Sequence, residues 1–489
     1  MDFTSGQLNE QVKPLNPVTP KLYTLSTVDQ YVPKAWITRM VYFPLDHNKV
    51  PAEIYDQLKT GLSHVLTMYP QMTGQVRRQP DKPHWVAIQT SAEGSVQFTF
   101  RDHTTSTDEV KLPSYARLKE LNFPMQGMVA TACHPVTQYE VSEGSCMFAA
   151  QANFVEGGLV LASTVNHICV DGAWWNELFK LWASYTDLTS APHTTEVIEH
   201  SMKIVSQLSV PTSETPPDPQ TWTIGDATAS NFLMAPPSTP ASGLVHPRDQ
   251  PNSGSPDPVL PLGSQVRTWT ISPQKQAALK STAKAYSTMD SIYSLFWNRA
   301  ATHSYVPTTH PTALARIPID MRTRVSPCVP NSYMGNTVSL MTAPIPSLSL
   351  VGPIAEKLPL ITSAIRTTIR AYTEEEFMRF IGTANTLPPS QALINPTNIM
   401  LTPSILLNDH SKLGIMTYDF GTLGKAERMR DAVDDLPIRN VNIVLVLPRL
   451  EDGTLEVMTV LDHEVVAGLE KDPEFLEFFG CGGDGKLVM

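Results

Sequence analysis

Between Val205 and Gly263 the chain changes character: twelve prolines fall from Pro211 to Pro261, in stretches such as TSETPPDPQ, APPSTPASG and NSGSPDPVLP. Proline fixes φ and donates no backbone hydrogen bond, so such a run cannot continue a helix or fill the middle of a sheet. The segment reads as a long, partly extended crossover linker that divides the 489 residues into halves of similar size. A chain of this length exceeds one ordinary core, and the expected organisation is two globular units, 1–204 and 264–489, joined by 205–263. The first half mixes a helical pattern, AEIYDQLKTGLSHVLTMYP, with strand-like runs, ITRMVYFPL, HWVAIQT and GLVLASTV. The second repeats the mixture in QVRTWTIS, SIYSLFWNRAATHS, VNIVLVLPRL and LEVMTVLD. Both halves are therefore expected to be α/β or α+β layers, with no solenoid repeat.

Bulk properties exclude several classes. A formal net charge of -11 leaves no positive surplus for general binding to nucleic acid or to an acidic membrane. An anionic small ligand would need a local basic site. No apolar run nears the roughly 20 residues that span a bilayer, and MDFTSGQLNE lacks the layout of a secretory signal. The expectation is a soluble, cytoplasmic monomer. Cys133, Cys146, Cys169, Cys328 and Cys481 are odd in number and scattered without a CxxC pair, so neither a disulfide framework nor a zinc site is encoded.

The stretch NHICVDG, Asn166 to Gly172, closes the aliphatic run GLVLASTV and opens AWWNELFKLW. The run predicts a buried strand ending near His167. Beyond it Trp174, Leu178, Leu181, Trp182 and Tyr185 fall at helical spacing and predict an apolar stripe, with Asp171 where an N-cap belongs. Residue chemistry leaves two readings open. His167 is either a base that removes a proton near neutral pH or a satisfied core histidine beside a helix cap. A metal site is weaker than both, because no third ligand accompanies the pair.

The motif His167, Cys169 to Gly172 and its setting resemble the HxxxDG signature of the BAHD acyltransferases, a superfamily related in fold to chloramphenicol acetyltransferase and peptide-synthetase condensation domains. Further blocks follow in that family's order: LSTVDQYV, LSHVLTMYPQMTGQV, STMDSIYSLFW, ARIPIDMRTRVSPCVPNSYMGNTV, MTYDFGTLGKAE and LEVMTVLDHEVVAGLEKDPEF. The similarity runs from about Thr19 to Phe475 and is nearest to the fungal trichothecene 3-O-acetyltransferase type.

The resemblance implies two chloramphenicol-acetyltransferase-like domains meeting at a channel, with acyl-CoA entering from one face and a hydroxylated small-molecule acceptor from the other. It makes His167 the general base. Asp171 and Gly172 become structural, with Asp171 braced against an arginine of the VDxRxR block, for which Arg322 is selected. Asp419, Phe420 and Gly421 invite a kinase comparison, but no HRD loop, VAIK lysine or glycine-rich phosphate loop accompanies them. In BAHD proteins this DFG turn is distant from the chemistry and shapes the channel and domain contact, and here Thr422-Leu423 replace the usual tryptophan. Where the family often has Thr/Ser-x-Trp the chain has Asn408-Asp409-His410. The Asn408 amide is a candidate donor to the oxyanion, while His410 is an unexplained departure. For the CoA phosphates, Lys280 and Lys284 are expected one helical turn apart, followed by Ser287 and Thr288 at a helix start. The expected activity is EC 2.3.1 acyl transfer, with acyl-CoA as cosubstrate and no other cofactor or metal. Alternatives are a carrier-protein acyl donor, a His-assisted cyclisation or isomerisation, and a catalytically silent binding protein.

Overall fold

The strand-like runs assemble into two large sheets. The computed structural model describes residues 6–105, 112–123, 133, 135–136, 141–187, 217, 222–227, 264–304, 311–394, 404–431 and 442–481. In spatial order the first sheet holds Gln7–Val12, Val96–Asp102, Phe148–Val155, Gly158–Asn166, Trp36–Pro44 and Arg428–Asp431. Every residue of Gly158–Asn166 is buried, which suits an aliphatic run lying between two neighbouring strands with both faces covered.

One layer over this sheet is the helix pair Pro51–Met68 and Gly172–Asp187. The predicted stripe of Trp174, Leu178, Leu181, Trp182 and Tyr185 is buried, and so are Trp175 and Phe179, because the second helix is enclosed on nearly all sides. Trp182 Nε1 donates to the Leu58 carbonyl at 2.7 Å. A Cβ at Gly61 would lie 2.4 Å from Thr186 Oγ1, so the two helices reach this separation only with glycine there. Each large apolar side chain buried in this layer stabilises the fold by roughly 1.5–3 kcal/mol.

The second sheet holds, in order, Val338–Pro346, Thr312–Asp320, Ile405–Asp409, Ile443–Val446, Leu455–Asp462, Ser264–Ile271 and Gly480–Cys481. Helices Pro273–Thr282, Thr288–His303 and Ile354–Ala371 contribute Leu279, Phe296, Trp297, Ile361 and Ile365 to its core. Of the expected linker 205–263, only Pro217 and Trp222–Ala227 lie within the described residues. There, Thr223–Asp226 pairs with Gln391–Ile394, and Trp222 is buried against Phe380 with ring centroids 4.9 Å apart.

One strand ties the sheets together. Arg428–Asp431, from the C-terminal half, joins the first sheet beside Trp36–Pro44, with Asp431 opposite Arg39. Its Arg430 guanidinium is buried and donates to both carboxylate oxygens of Glu456 at 2.8 and 3.0 Å, within strand Leu455–Asp462 of the second sheet. No helix among the described residues is long and apolar enough to cross a membrane.

Candidate active site

The strand ends at Asn166, and His167–Cys169 form a single 3-10 turn in which Asn166 Oδ1 accepts from Ile168 N. His167 N donates to the Ala35 carbonyl at 3.0 Å, and the His167 carbonyl accepts from Asn336 Nδ2 at 2.8 Å. The backbone of the histidine is thus held on both sides, once by each half of the chain. Its side chain is half-buried, and among the described residues Nδ1 has no hydrogen-bond partner. Burial pushes the imidazole below its ordinary value and the Arg39 charge adds to that, against the carbonyls of His167 and Val170 and the charge of Asp171. The result is an imidazole that is neutral near pH 7 and able to accept a proton.

Asp171 is buried and all its contacts are structural. Oδ1 accepts from Trp174 N at 3.0 Å, capping helix Gly172–Asp187, while Oδ2 accepts from Arg322 Nη1 at 2.6 Å and Thr337 N at 3.0 Å. Burial alone would raise this carboxyl, but the Arg322 guanidinium and these hydrogen bonds hold it below the usual carboxylate value. Arg322 in turn donates to Asp320 Oδ1 at 3.3 Å and to the Gly335 carbonyl at 2.9 Å. The pair lies between the halves with both side chains 1% exposed.

Beside the loop lies a second cluster. Arg39 Nε donates to Asp431 Oδ1 at 2.6 Å, its Nη2 lies 3.3 and 3.4 Å from the two ring nitrogens of His410, and its Cζ sits 4.3 Å from the Trp175 ring centre. A Cβ at Gly172 would meet His410 Nε2 at 3.6 Å, so His410 faces the start of helix Gly172–Asp187. Burial would raise the Asp431 carboxyl, yet Arg39 and then His410 hold it at about 2. Burial and Arg39 push His410 down, leaving it neutral like His167.

The remaining sequence candidates are dispersed. Asn408 lies in Ile405–Asp409 on the face opposite Ile405 and Leu407, which it shares with His410, and its amide makes no hydrogen bond to another described residue. The DFG turn is at the other end of helix Gly172–Asp187. Gly421 has φ +66, and a Cβ there would come within 3.0 Å of Asp187 Cα. Asp419 Oδ1 accepts from Gly421 N at 3.0 Å, and Leu423 is buried in the core of the first half.

The expectation for the lysines needs correcting. Helix Pro273–Thr282 ends before Lys284, which has φ +48 and is exposed, so Lys280 and Lys284 do not share a helical face. Ser287 does precede a helix that begins at Thr288. Its Oγ is already engaged by Asp290 N at 3.1 Å and Arg366 Nη2 at 3.2 Å.

Sequence reasoning gave no role to Arg39, Asp431, Asn336 or Thr337. Asn336 stands in the GN of a quoted block, which was the only signal. Arg39 and Asp431 are separated by 392 positions and carry no motif.

A family model, described as the Transferase family, matches residues 6–476. An acyltransferase of Cochliobolus lunatus is 26% identical over 487 residues, covering 95% of this chain and 96% of the relative. An eremophilane O-acetyltransferase of Penicillium rubens is 23% identical, covering 93% and 97%. Among solved structures, TRI101 of F. sporotrichioides, complexed with coenzyme A and T-2, superposes with a TM-score of 0.75 at 18% identity, covering 95% of this chain and 100% of that one. At that identity the likeness shows the shared two-sheet fold.

Proposed function

The chain belongs to the Transferase family of BAHD acyltransferases, and from that premise we propose that it transfers an acyl group, acetyl foremost, from acyl-CoA to a hydroxyl of a secondary metabolite. His167 acts as general base and no cofactor beyond acyl-CoA is required. The observation that carries this reading is the half-buried His167 imidazole between the two halves of the chain, its Nδ1 without a hydrogen-bond partner among the described residues and its backbone held on both sides, with burial pushing it below its ordinary pKa. Relatives named for eremophilane O-acetylation, and a like-folded protein solved with coenzyme A and T-2, support the donor and the acceptor class.

In the proposed reaction the acceptor oxygen attacks the thioester carbonyl while His167 takes the hydroxyl proton. The tetrahedral oxyanion collapses, the carbon–sulfur bond breaks, and the imidazolium returns its proton to the leaving thiolate. No covalent acyl-enzyme is needed. Asp171 takes no part in the proton's path because its oxygens are occupied by Arg322, Trp174 and Thr337. The Asn408 amide is the proposed donor to the oxyanion, a group whose removal typically costs on the order of 10²–10³-fold in kcat.

The test is incubation with acetyl-CoA and hydroxylated terpenoids, eremophilane alcohols first, following release of free thiol and formation of ester. His167→Ala is expected to lower kcat by roughly 10²–10⁴-fold while the melting temperature stays near wild type. Turnover at wild-type rates in this variant would overturn the mechanism. Conversion of a metabolite with no thioester present would point instead to proton transfer by His167 in a cyclisation or isomerisation.

A further inference from the structure

Two neighbouring residues of the C-terminal half, Asn336 and Thr337, reach across to the loop that carries His167, and Gly335 before them holds Arg322, the partner of Asp171. The Gly335 carbonyl accepts from Arg322, the Thr337 N–H donates to Asp171, and the Asn336 amide donates to the His167 carbonyl. Thr337 grips the aspartate end of the loop directly, and Gly335 does so through Arg322. Among the described residues of this half, Asn336 alone hydrogen-bonds the histidine end.

Asn336 is itself fixed. Its backbone N and its Nδ2 both donate to Asp29 Oδ1, at 2.7 and 2.8 Å, and Asp29 Oδ2 accepts from the Ser26 N–H and hydroxyl at 3.0 and 2.7 Å. Asn336 and Asp29 are each 1% exposed. An amide nitrogen carries two hydrogens, and here one goes to Asp29 and the other to His167. The reverse orientation would set an amide oxygen against a carboxylate and a carbonyl, so the amide has one workable placement.

We infer that Asn336 is a positioning residue for His167, transmitting to the histidine backbone a register set by Asp29. This rests on reading His167 as the base. With its N–H held by Ala35 and its carbonyl by Asn336, the residue can project its ring in only a narrow range of directions. A displacement of about 1 Å at a reacting group can cost on the order of 10²-fold in rate. The contact has an electrostatic side as well. The His167 carbonyl favours the imidazolium, and an amide hydrogen bonded to it reduces that influence. Among the described residues the charged groups acting on the ring are Asp171 and Arg39, Arg39 being in contact in turn with Asp431 and His410. None of them is touched by replacing Asn336.

The experiment measures kcat, KM and the pH profile of kcat/KM with acetyl-CoA and an alcohol acceptor for wild type, Asn336→Ala, Asn336→Ser and His167→Ala. Melting curves are recorded alongside. Asn336→Ala is expected to lose roughly 10- to 100-fold in kcat with both KM values unchanged, and its acid limb is expected to move to higher pH because the carbonyl, left with only the long 3.4 Å bond from Val170 N, now favours the imidazolium more strongly. Asn336→Ser, which keeps a side-chain donor for Asp29 beside the backbone N–H, covers the case in which the alanine variant does not fold, and should show the same kcat loss and shift. A purely structural Asn336 would lower the melting temperature and leave the folded enzyme's kcat and pH limb as in wild type, which overturns the inference. Wild-type activity in His167→Ala would overturn the underlying reading instead.

Discussion

Helix Gly172–Asp187 is held at both ends, and the two ends are held differently. At its start a buried carboxylate caps the helix and pairs with Arg322 from the other half of the chain. At its finish, about 22 Å away at 1.5 Å per residue, the DFG turn packs without an ion pair among the described residues. Phe420 sits edge-on to Phe43 with centroids 5.2 Å apart, and Gly421 lies against the Asp187 backbone. Both ends join the halves. Only the first lies beside His167, so charge pairing accompanies the candidate chemistry while shape complementarity serves docking alone.

The largest expected effect is at the charged end. Asp171→Ala would take the closer carboxylate from a guanidinium that is 1% exposed, leaving it Asp320 at 3.3 Å, and would remove a helix cap. Breaking one side of a buried pair typically costs about 3–5 kcal/mol, and a lost cap about 1 kcal/mol more. Both melting temperature and kcat should fall. The pH dependence has a definite sign. Because Arg322 holds the Asp171 carboxyl below its unfolded value, its stabilisation is complete above about pH 4 and is lost as pH falls through the folded pKa. Acid unfolding of wild type should show this component and Asp171→Ala should lack it. An unchanged melting temperature would mean that the two ends of the helix are equivalent after all.

The same contrast separates what the sequence discloses from what it hides. Strand Gly158–Asn166 and the helix after it are visible because aliphatic continuity and helical spacing follow directly from which faces are buried. Asp171 is visible as a cap because capping is local. The strand Arg428–Asp431 is not, since RMRD has neither apolar alternation nor length, and its place in the first sheet comes from partners such as Glu456 and Trp36–Pro44 far away in the chain. The Arg39, His410 and Asp431 cluster is hidden for the same reason. The lysine expectation failed on a local detail: Lys284 adopts a left-handed φ that glycine or asparagine usually takes, so no residue type announced the end of the preceding helix.

A smaller effect is expected at the DFG end. Gly421→Ala adds a Cβ at φ +66 and within 3.0 Å of Asp187 Cα, a combination costing roughly 1–3 kcal/mol. Thermal unfolding should register that loss while kcat per folded molecule changes little, because His167 lies beyond the opposite end of the helix. A fall in kcat comparable to that of Asp171→Ala, in protein shown to be folded at the assay temperature, would make the DFG turn part of the chemistry.

The smallest effect belongs to a region outside both ends. Lys280, in the last turn of Pro273–Thr282, and the exposed Lys284 are the proposed contacts for CoA phosphates. Solvent-accessible charges interact weakly, about 0.2–1 kcal/mol each, and salt screens them further. Replacing both with alanine should therefore raise the KM for acyl-CoA only a few-fold, weaken its dependence on ionic strength and leave the acceptor KM alone. The melting temperature should hardly move, since alanine at 284 bears the same left-handed strain as lysine. Dephospho-CoA thioesters sharpen the result: if wild type uses them as well as full CoA thioesters, these lysines do not read the 3′-phosphate. A carrier-protein donor would then fit the enzyme better, and the two lysines would belong with the solvated surface.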